Sequence, residues 1–178
     1  NLVENLLSVT KLDGDNVRLV KKAVPLEELI DSVLIKFSRK YPTETVKTDI
    51  PDEFVYIPMD PLLIEQVLLN MLQNAVEHAT GHTVITLSVM IRGDMAVFEV
   101  KDDGCGVPRD VRSRLFADYF EGIGRRSDAN KHNMGIGLSV CSSIIKAHDG
   151  EIDAYDAIGG GAVFRFSLAL EEMNDGTE

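Results

Sequence analysis

Met95-Ala-Val-Phe-Glu-Val-Lys-Asp-Asp-Gly-Cys-Gly-Val-Pro108 is the stretch on which the fold turns. Residues alternate from Ala96 to Asp102, the pattern of a half-buried strand. Ala96, Phe98 and Val100 make one face apolar, and Asp102 continues that face. Glu99, Lys101 and Asp103 fall on or near the other. So of two adjacent acids, Asp102 is expected to point to the core and Asp103 to solvent. A carboxylate on the core side is costly unless it meets a donor or a cation. Gly104 and Gly106 permit a turn with unusual dihedrals and the close approach of another molecule. An ordinary Asp-Gly turn rotating out to solvent fits the local pattern too, so a gripped ligand needs support elsewhere.

Working outward, Ile85, Leu87, Val89 and Ile91 alternate before an Arg92-Gly93-Asp94 turn, which predicts a hairpin with the Asp102 strand. Upstream, Val17–Val20 reads as a strand. Pro25 suits the first turn of a helix bearing Leu26, Leu29, Ile30, Val33, Leu34 and Phe37 on one face. Short strands around Val46 and Val55–Ile57 lead to Pro58, and a longer helix runs from about Pro61 to Ala79. Downstream, residues 109–134 have no clear period and many polar residues. A helix is expected from Gly137 to Ala147. A last antiparallel pair, Ile152/Ala154 with Phe164, Phe166, Leu168 and Leu170, turns through Gly159-Gly160-Gly161. The pattern predicts an α+β fold, a mostly antiparallel sheet with helices on one face.

Composition bounds the function. The chain has 178 residues, 44% hydrophobic and 26% charged, enough for one domain with a core. Its net charge of −11 argues against a nucleic-acid partner. No apolar run is long enough to span a bilayer. The first residue is Asn1 rather than Met, which reads as a piece cut from a longer protein. Cys105 and Cys141 have no metal-ligand spacing and imply a reducing compartment.

Two further constellations bear on chemistry. On the Pro61–Ala79 helix, Leu68, Met71, Leu72, Ala75, Val76 and Ala79 share one side, while Gln66, Asn70, Gln73, Asn74 and Glu77 share the opposite one. Most polar faces are simply solvated. Asn is, however, a poor helix-interior residue, and here two stand at i and i+4. Amide oxygens are hard ligands that suit Mg²⁺ bridging to phosphate. The other constellation is Asn133-Met-Gly-Ile-Gly-Leu138 before a helix, where free backbone N–H groups would meet an anion. It follows no predicted strand and opens no βαβ unit, which argues against a dinucleotide fingerprint, and there is no P-loop.

In order, LLNMLQNAVEHA, VKDDGCGVP and NMGIGLSVCSSIIKAHDG resemble the N, G1 and G2 boxes of the histidine-kinase ATP-binding domain, within the GHKL superfamily. LFADYF resembles the F box, and GGGAVFRFSLAL the terminal hairpin. The likeness covers about residues 16–170 and is nearest to the potassium-responsive KdpD type. It implies a Bergerat-type two-layer sandwich and a protein-histidine kinase of a two-component system. Residues 1–14 would end the dimerisation and phosphotransfer helix, 15–171 would bind ATP, and 172–178 would be a disordered tail.

The resemblance also implies roles. Asn74 would hold Mg²⁺, with Asn70 the first Asn of the N box. Asp102 would accept from the adenine amino group, with Gly104 and Gly106 letting the base lie against the backbone. Phe116 and Tyr119 would anchor the ATP lid, although plain core packing accounts for them equally. Gly135 and Gly137 would face phosphate with Leu138 behind them, and His78 would contact the nucleotide. Glu77 stands where the family has a phosphate-binding Lys, His78 where it has an aromatic, Asn133 where it has a glycine, and Glu121 where it has a basic residue. Arg125, Arg126 or Lys131 could compensate.

No histidine here fits the phosphoacceptor motif. His148-Asp149 lacks the following proline, and His78, His82 and His132 fit no better. The acceptor is therefore expected upstream, on the phosphotransfer helices of the full-length dimer. A response regulator would be the next partner, with no membrane contact by this piece, and the setting would be the cytoplasmic side of a membrane-bound sensor. Another GHKL protein, such as an anti-sigma kinase, and a degenerate interaction module remain as alternatives.

Overall fold

The computed structural model describes residues 19–107 and 129–170, with the side chains of 129–136 excepted. Phe116, Tyr119, Glu121, Arg125 and Arg126, residues 1–18 and the tail lie outside these. The elements run β1 (Lys22–Pro25), α1 (Leu26–Lys40), β2 (Val46–Asp49), β3 (Tyr56–Met59), α2 (Pro61–His78), β4 (Ile85–Arg92), β5 (Met95–Asp102), α3 (Ala129–Ala147), β6 (Glu151–Asp156) and β7 (Ala162–Ala169).

Five strands form one sheet in the order β2-β4-β5-β7-β6. Only β2 and β4 pair in parallel, and the other three pairs are antiparallel. β1 and β3 make a separate two-stranded ribbon. The period-2 reading holds across the sheet. Ile85, Leu87 and Val89 of β4, Ala96, Phe98 and Val100 of β5, and Phe164, Phe166 and Leu168 of β7 are buried in one core with the helices. Phe98 lies opposite Phe166, their rings stacked 4.6 Å apart. Burying each ring contributes about 2–3 kcal/mol.

α1 follows from its sequence. Glu27 and Glu28 occupy the positive end, Arg39 and Lys40 the negative end, and Leu26, Leu29, Ile30, Val33 and Phe37 are buried. α2 is capped by Asp60, whose Oδ1 accepts from the N–H of Leu62 and Leu63, and Pro61 occupies a first-turn position that needs no N–H.

Four expectations shift. Of the strand expected at Val17–Val20, residues 19 and 20 are described and lie outside any strand, and β1 is Lys22–Pro25, with Val24 buried. Pro25 ends that strand in an extended conformation rather than opening the helix. Pro58 lies within β3, not after it, which a two-stranded ribbon tolerates because one edge of each strand is free. Finally, α3 begins at Ala129, eight residues before Gly137. The buried face at Leu138, Val140, Cys141, Ile144 and Ile145 anchors the helix. The extension back from it costs only about 1 kcal/mol per glycine.

Candidate functional site

β5 delivers Asp102 as its alternation predicts: the residue is 2% exposed and shares the buried face with Ala96, Phe98 and Val100. Its Oδ1 accepts from Gly104 N–H at 2.9 Å and from Ala162 N–H at 3.2 Å. Two backbone donors therefore fix the plane of the carboxylate. Both of these bonds fall on the same oxygen, Oδ1. Asp103 is exposed, as expected, yet it is not idle. Its carboxylate accepts from Thr83 N–H at 2.7 Å, Thr83 O–H at 2.5 Å and Val84 N–H at 2.9 Å. These donors, led by the Thr83 hydroxyl, hold its pKa well below the usual carboxylate range. Asp103 thus pins the segment entering β4 while Asp102 faces inward.

The glycines around Asp102 are set by close packing. A β-carbon on Gly104 would stand 2.7 Å from that of Ala79, which closes α2. Gly106 has φ +75°, and a β-carbon there would lie 3.2 Å from the Gly161 carbonyl. The Cys105 thiol donates to the His78 carbonyl at 3.6 Å. The loop after β5 is thereby laid on the C-terminal end of α2. Gly161 and Ala162, sixty residues away in sequence, complete the cradle from β7. Sequence reasoning took the triple glycine only as a turn, and the three successive glycines were the available signal.

On α2 the two asparagines part company. Asn70 is half-buried, and its amide donates to the Gly137 carbonyl at 3.4 Å and weakly to Cys141 Sγ. The asparagine face of α2 and the Asn133–Leu138 stretch therefore meet physically. Asn74 is not on the solvated stripe. It is 8% exposed, and its Nδ2 is the one buried side-chain N or O among the described residues without a hydrogen-bond partner. A buried orphan amide costs about 1–3 kcal/mol and marks a position where a polar ligand would be stabilised. No group of His, Cys, Asp and Glu able to hold a metal occurs among the described residues. That donor set fits a hard cation that arrives on phosphate oxygens and takes one amide, not a protein-caged ion.

Gly135 and Gly137 lie within α3 rather than ahead of its start. Their N–H groups therefore belong to the helical span, not to an exposed N-terminus. Leu138 is fully buried in the core. His78 is half-buried, and burial lowers its pKa against the opposing pull of Glu77. Glu77 itself is exposed, and its Oε1 accepts from Tyr41 O–H and from Gln73 Nε2, each at 2.8 Å. Burial, with the Glu77 contact, drives the Tyr41 pKa up. Cys141 is a buried free thiol pushed up to about 12 by desolvation, which leaves it inert. His148 is buried. Its Nδ1 faces the Ile144 carbonyl at 2.8 Å, while Nε2 accepts from Asp60 N–H at 3.0 Å. That ring is a structural staple between α3 and α2.

Among the described residues, no helix is long and apolar enough to cross a membrane. Two large clefts, of about 860 and 880 Å³, are lined by other residues than Asp102. The second runs between α1 and α2 and reaches Asn70.

A buried acid at a strand end, a helix bearing paired asparagines beside it, and a glycine-containing helix fastened to the first of them form one arrangement, in a chain that is similar to known proteins over most of its length. Sensor protein KdpD of Clostridium acetobutylicum is 34% identical over 170 residues, 96% of this chain and 19% of that protein. The chain thus spans about a fifth of that relative's length. The catalytic domain of the histidine kinase ThkA, in a nucleotide-free form, superposes with a TM-score of 0.69 at 25% identity, covering 85% of this chain and 96% of that one. Full-length ShkA in complex with AMPPNP superposes with a TM-score of 0.73 at 26% identity, covering 94% and 35%. The family model for histidine kinase-, DNA gyrase B- and HSP90-like ATPases matches residues 59–172, which hold Asn70, Asn74, Asp102 and both helical glycines. This chain belongs to that ATPase family.

Proposed function

We propose that this chain is the ATP-binding catalytic domain of a two-component sensor histidine kinase, acting on a histidine that lies outside it. The observation that carries the reading is Asp102. Its Oδ1 is committed to Gly104 and Ala162, which leaves Oδ2 as the acceptor for the adenine amino group. Gly104 and Gly106 shape the backbone beside the base, and His78 stands at the adjoining end of α2. Asn70 and Asn74 face the triphosphate, with Gly135, Gly137 and Leu138 on the α3 side. Phe116 and Tyr119 anchor the lid. Asn74 would hold Mg²⁺, which when bound neutralises charge on the transferring phosphate. The chain's own part is positioning: fixing the base at one end so that the terminal phosphate projects toward the acceptor.

Among the proteins named above are a sensor protein and the catalytic domain of a histidine kinase, and one of the similar structures holds AMPPNP. By that likeness the phosphoryl group passes to a histidine on the phosphotransfer helices of the full-length dimer, then to a response regulator. The setting is the cytoplasmic side of the membrane. By the same likeness, residues 1–14 would belong to the phosphotransfer part and 15–171 to the nucleotide domain.

Calorimetric titration with a non-hydrolysable ATP analogue and Mg²⁺ tests the reading. Saturable binding is expected. Asp102→Asn should weaken it roughly tenfold or more and erase the preference for adenine over guanine, since a donor amide replaces an acceptor. Unchanged affinity in Asp102→Asn would remove this side chain from the site. No saturable binding up to millimolar nucleotide would favour a module that serves only as an interaction surface, the reading that Glu77 and Asn133 support.

A further inference from the structure

We infer that Lys40 of α1 supplies a cation to the phosphate tail of the nucleotide, across the face of α2 that carries Asn70 and Gln73. The inference rests on the nucleotide reading above. A polyanion approaching a chain of net charge −11 needs local positive charge. Glu77 makes the need sharper, because it places an exposed carboxylate three residues beyond Asn74 on the same helix. The cleft of about 880 Å³ between α1 and α2 is lined by Asn70, Gln66 and Gln73 from one helix and by Lys36 and Lys40 from the other. Asn70 joins that cleft to Gly137 of α3.

The two lysines differ. Lys36 is paired with the buried carboxylate of Glu65, so its charge is already neutralised. Lys40 donates to the neutral Gln73 amide oxygen at 2.8 Å and lies 5.1 Å from the centre of the Tyr41 ring. Among the described residues it makes no ion pair. Its ammonium keeps donors to spare. Gln73 also donates to Glu77, and Tyr41 does the same. One network therefore steers the acid and orients the lysine. A lysine that merely favours the negative end of α1 would affect stability but not discriminate between ligands.

The experiment compares adenosine, ADP and a non-hydrolysable ATP analogue with Mg²⁺, on wild type, Lys40→Met and Lys40→Arg. Thermal melts confirm folding. Lys40→Met should weaken the ATP analogue roughly tenfold while leaving adenosine within about twofold, and Lys40→Arg should restore most of the loss. The salt dependence of analogue binding should become shallower in Lys40→Met. Analogue affinity unchanged in Lys40→Met, or reduced in the same proportion for adenosine, overturns the inference. If Asp102→Asn weakens all three ligands while Lys40→Met weakens none, Lys40 falls and the nucleotide site stands. If wild type binds none of the three, both fall.

Discussion

Gly161 lies directly over the carbonyl of Asp102: a β-carbon built on it would stand 1.9 Å from that oxygen. The residue has φ +91°, a conformation that only glycine adopts readily. The next residue, Ala162, then donates its N–H to Asp102 Oδ1. The glycine turn between β6 and β7 is thus the far wall of the Asp102 cradle. Gly161→Ala should cost about 2–4 kcal/mol from backbone strain and overpacking together, read by urea denaturation. It should also weaken nucleotide binding. Gly159, where a β-carbon would meet nothing within 4 Å, serves as the control for the turn itself, and Gly159→Ala should leave affinity within about twofold.

Asp103 gives a second, separable prediction. It faces away from Asp102 and fastens the start of β4. Asp103→Ala should expose the amides of Thr83 and Val84 to hydrogen exchange while leaving nucleotide affinity nearly unchanged. Its folded pKa is depressed, so its contribution is present above the ordinary value of 3.8 and is lost as pH falls below it. The variant should accordingly be less sensitive than wild type to acid below that value. Amides at 83 and 84 that keep wild-type protection would remove the role.

The direction of these two acids was readable because strand alternation is local and period 2 admits one answer. Which atoms receive Asp102 was not. Gly161 and Ala162 come to it through the pairing of Lys101 with Val163, a long-range register that a single strand does not encode. The burial of Asn74 was hidden for a different reason. A helical wheel assigns polar residues to solvent, whereas the wheel of α2 is covered on more than one side and buries the amide. The start of α3 was missed because two glycines read as a break, and their modest cost gives way to the buried face that follows.

Asn74 can be separated from the core by substitution. Its Nδ2 has no partner, so Asn74→Ala removes a group that was paid for and unmatched. Stability should stay within about 1 kcal/mol of wild type. The gain in analogue affinity on adding Mg²⁺ should fall roughly tenfold if the amide helps hold the ion. Asn74→Asp should behave differently, placing a charge where little water reaches and lowering thermal stability at neutral pH. Equal Mg²⁺ dependence in wild type and Asn74→Ala would count against the metal role.

The histidines should make stability depend on pH in opposite senses. His148 is neutral in its staple, and burial lowers its pKa below the ordinary 6.5, with Lys21 adding to the effect and the Ile144 carbonyl, Asp60 and Asp149 opposing it. Below 6.5 the unfolded chain takes the proton more readily, so this ring's contribution is present above 6.5 and is lost as pH falls below it. Protonation would place a donor where Nε2 now accepts from Asp60 N–H. His82 runs the other way. Its Nε2 lies 3.2 Å from Glu44, and that bond raises its pKa. Its contribution is complete below 6.5 and is lost as pH rises through the folded value. Nuclear magnetic resonance titration of the imidazole protons should find His148 below 6.5 and His82 above it. In urea melts, His148→Gln supplies an amide oxygen that accepts from Asp60 at every pH and should flatten the loss between 6.5 and lower pH. An unaltered acid slope in that variant would show that the staple between α2 and α3 is not what titrates.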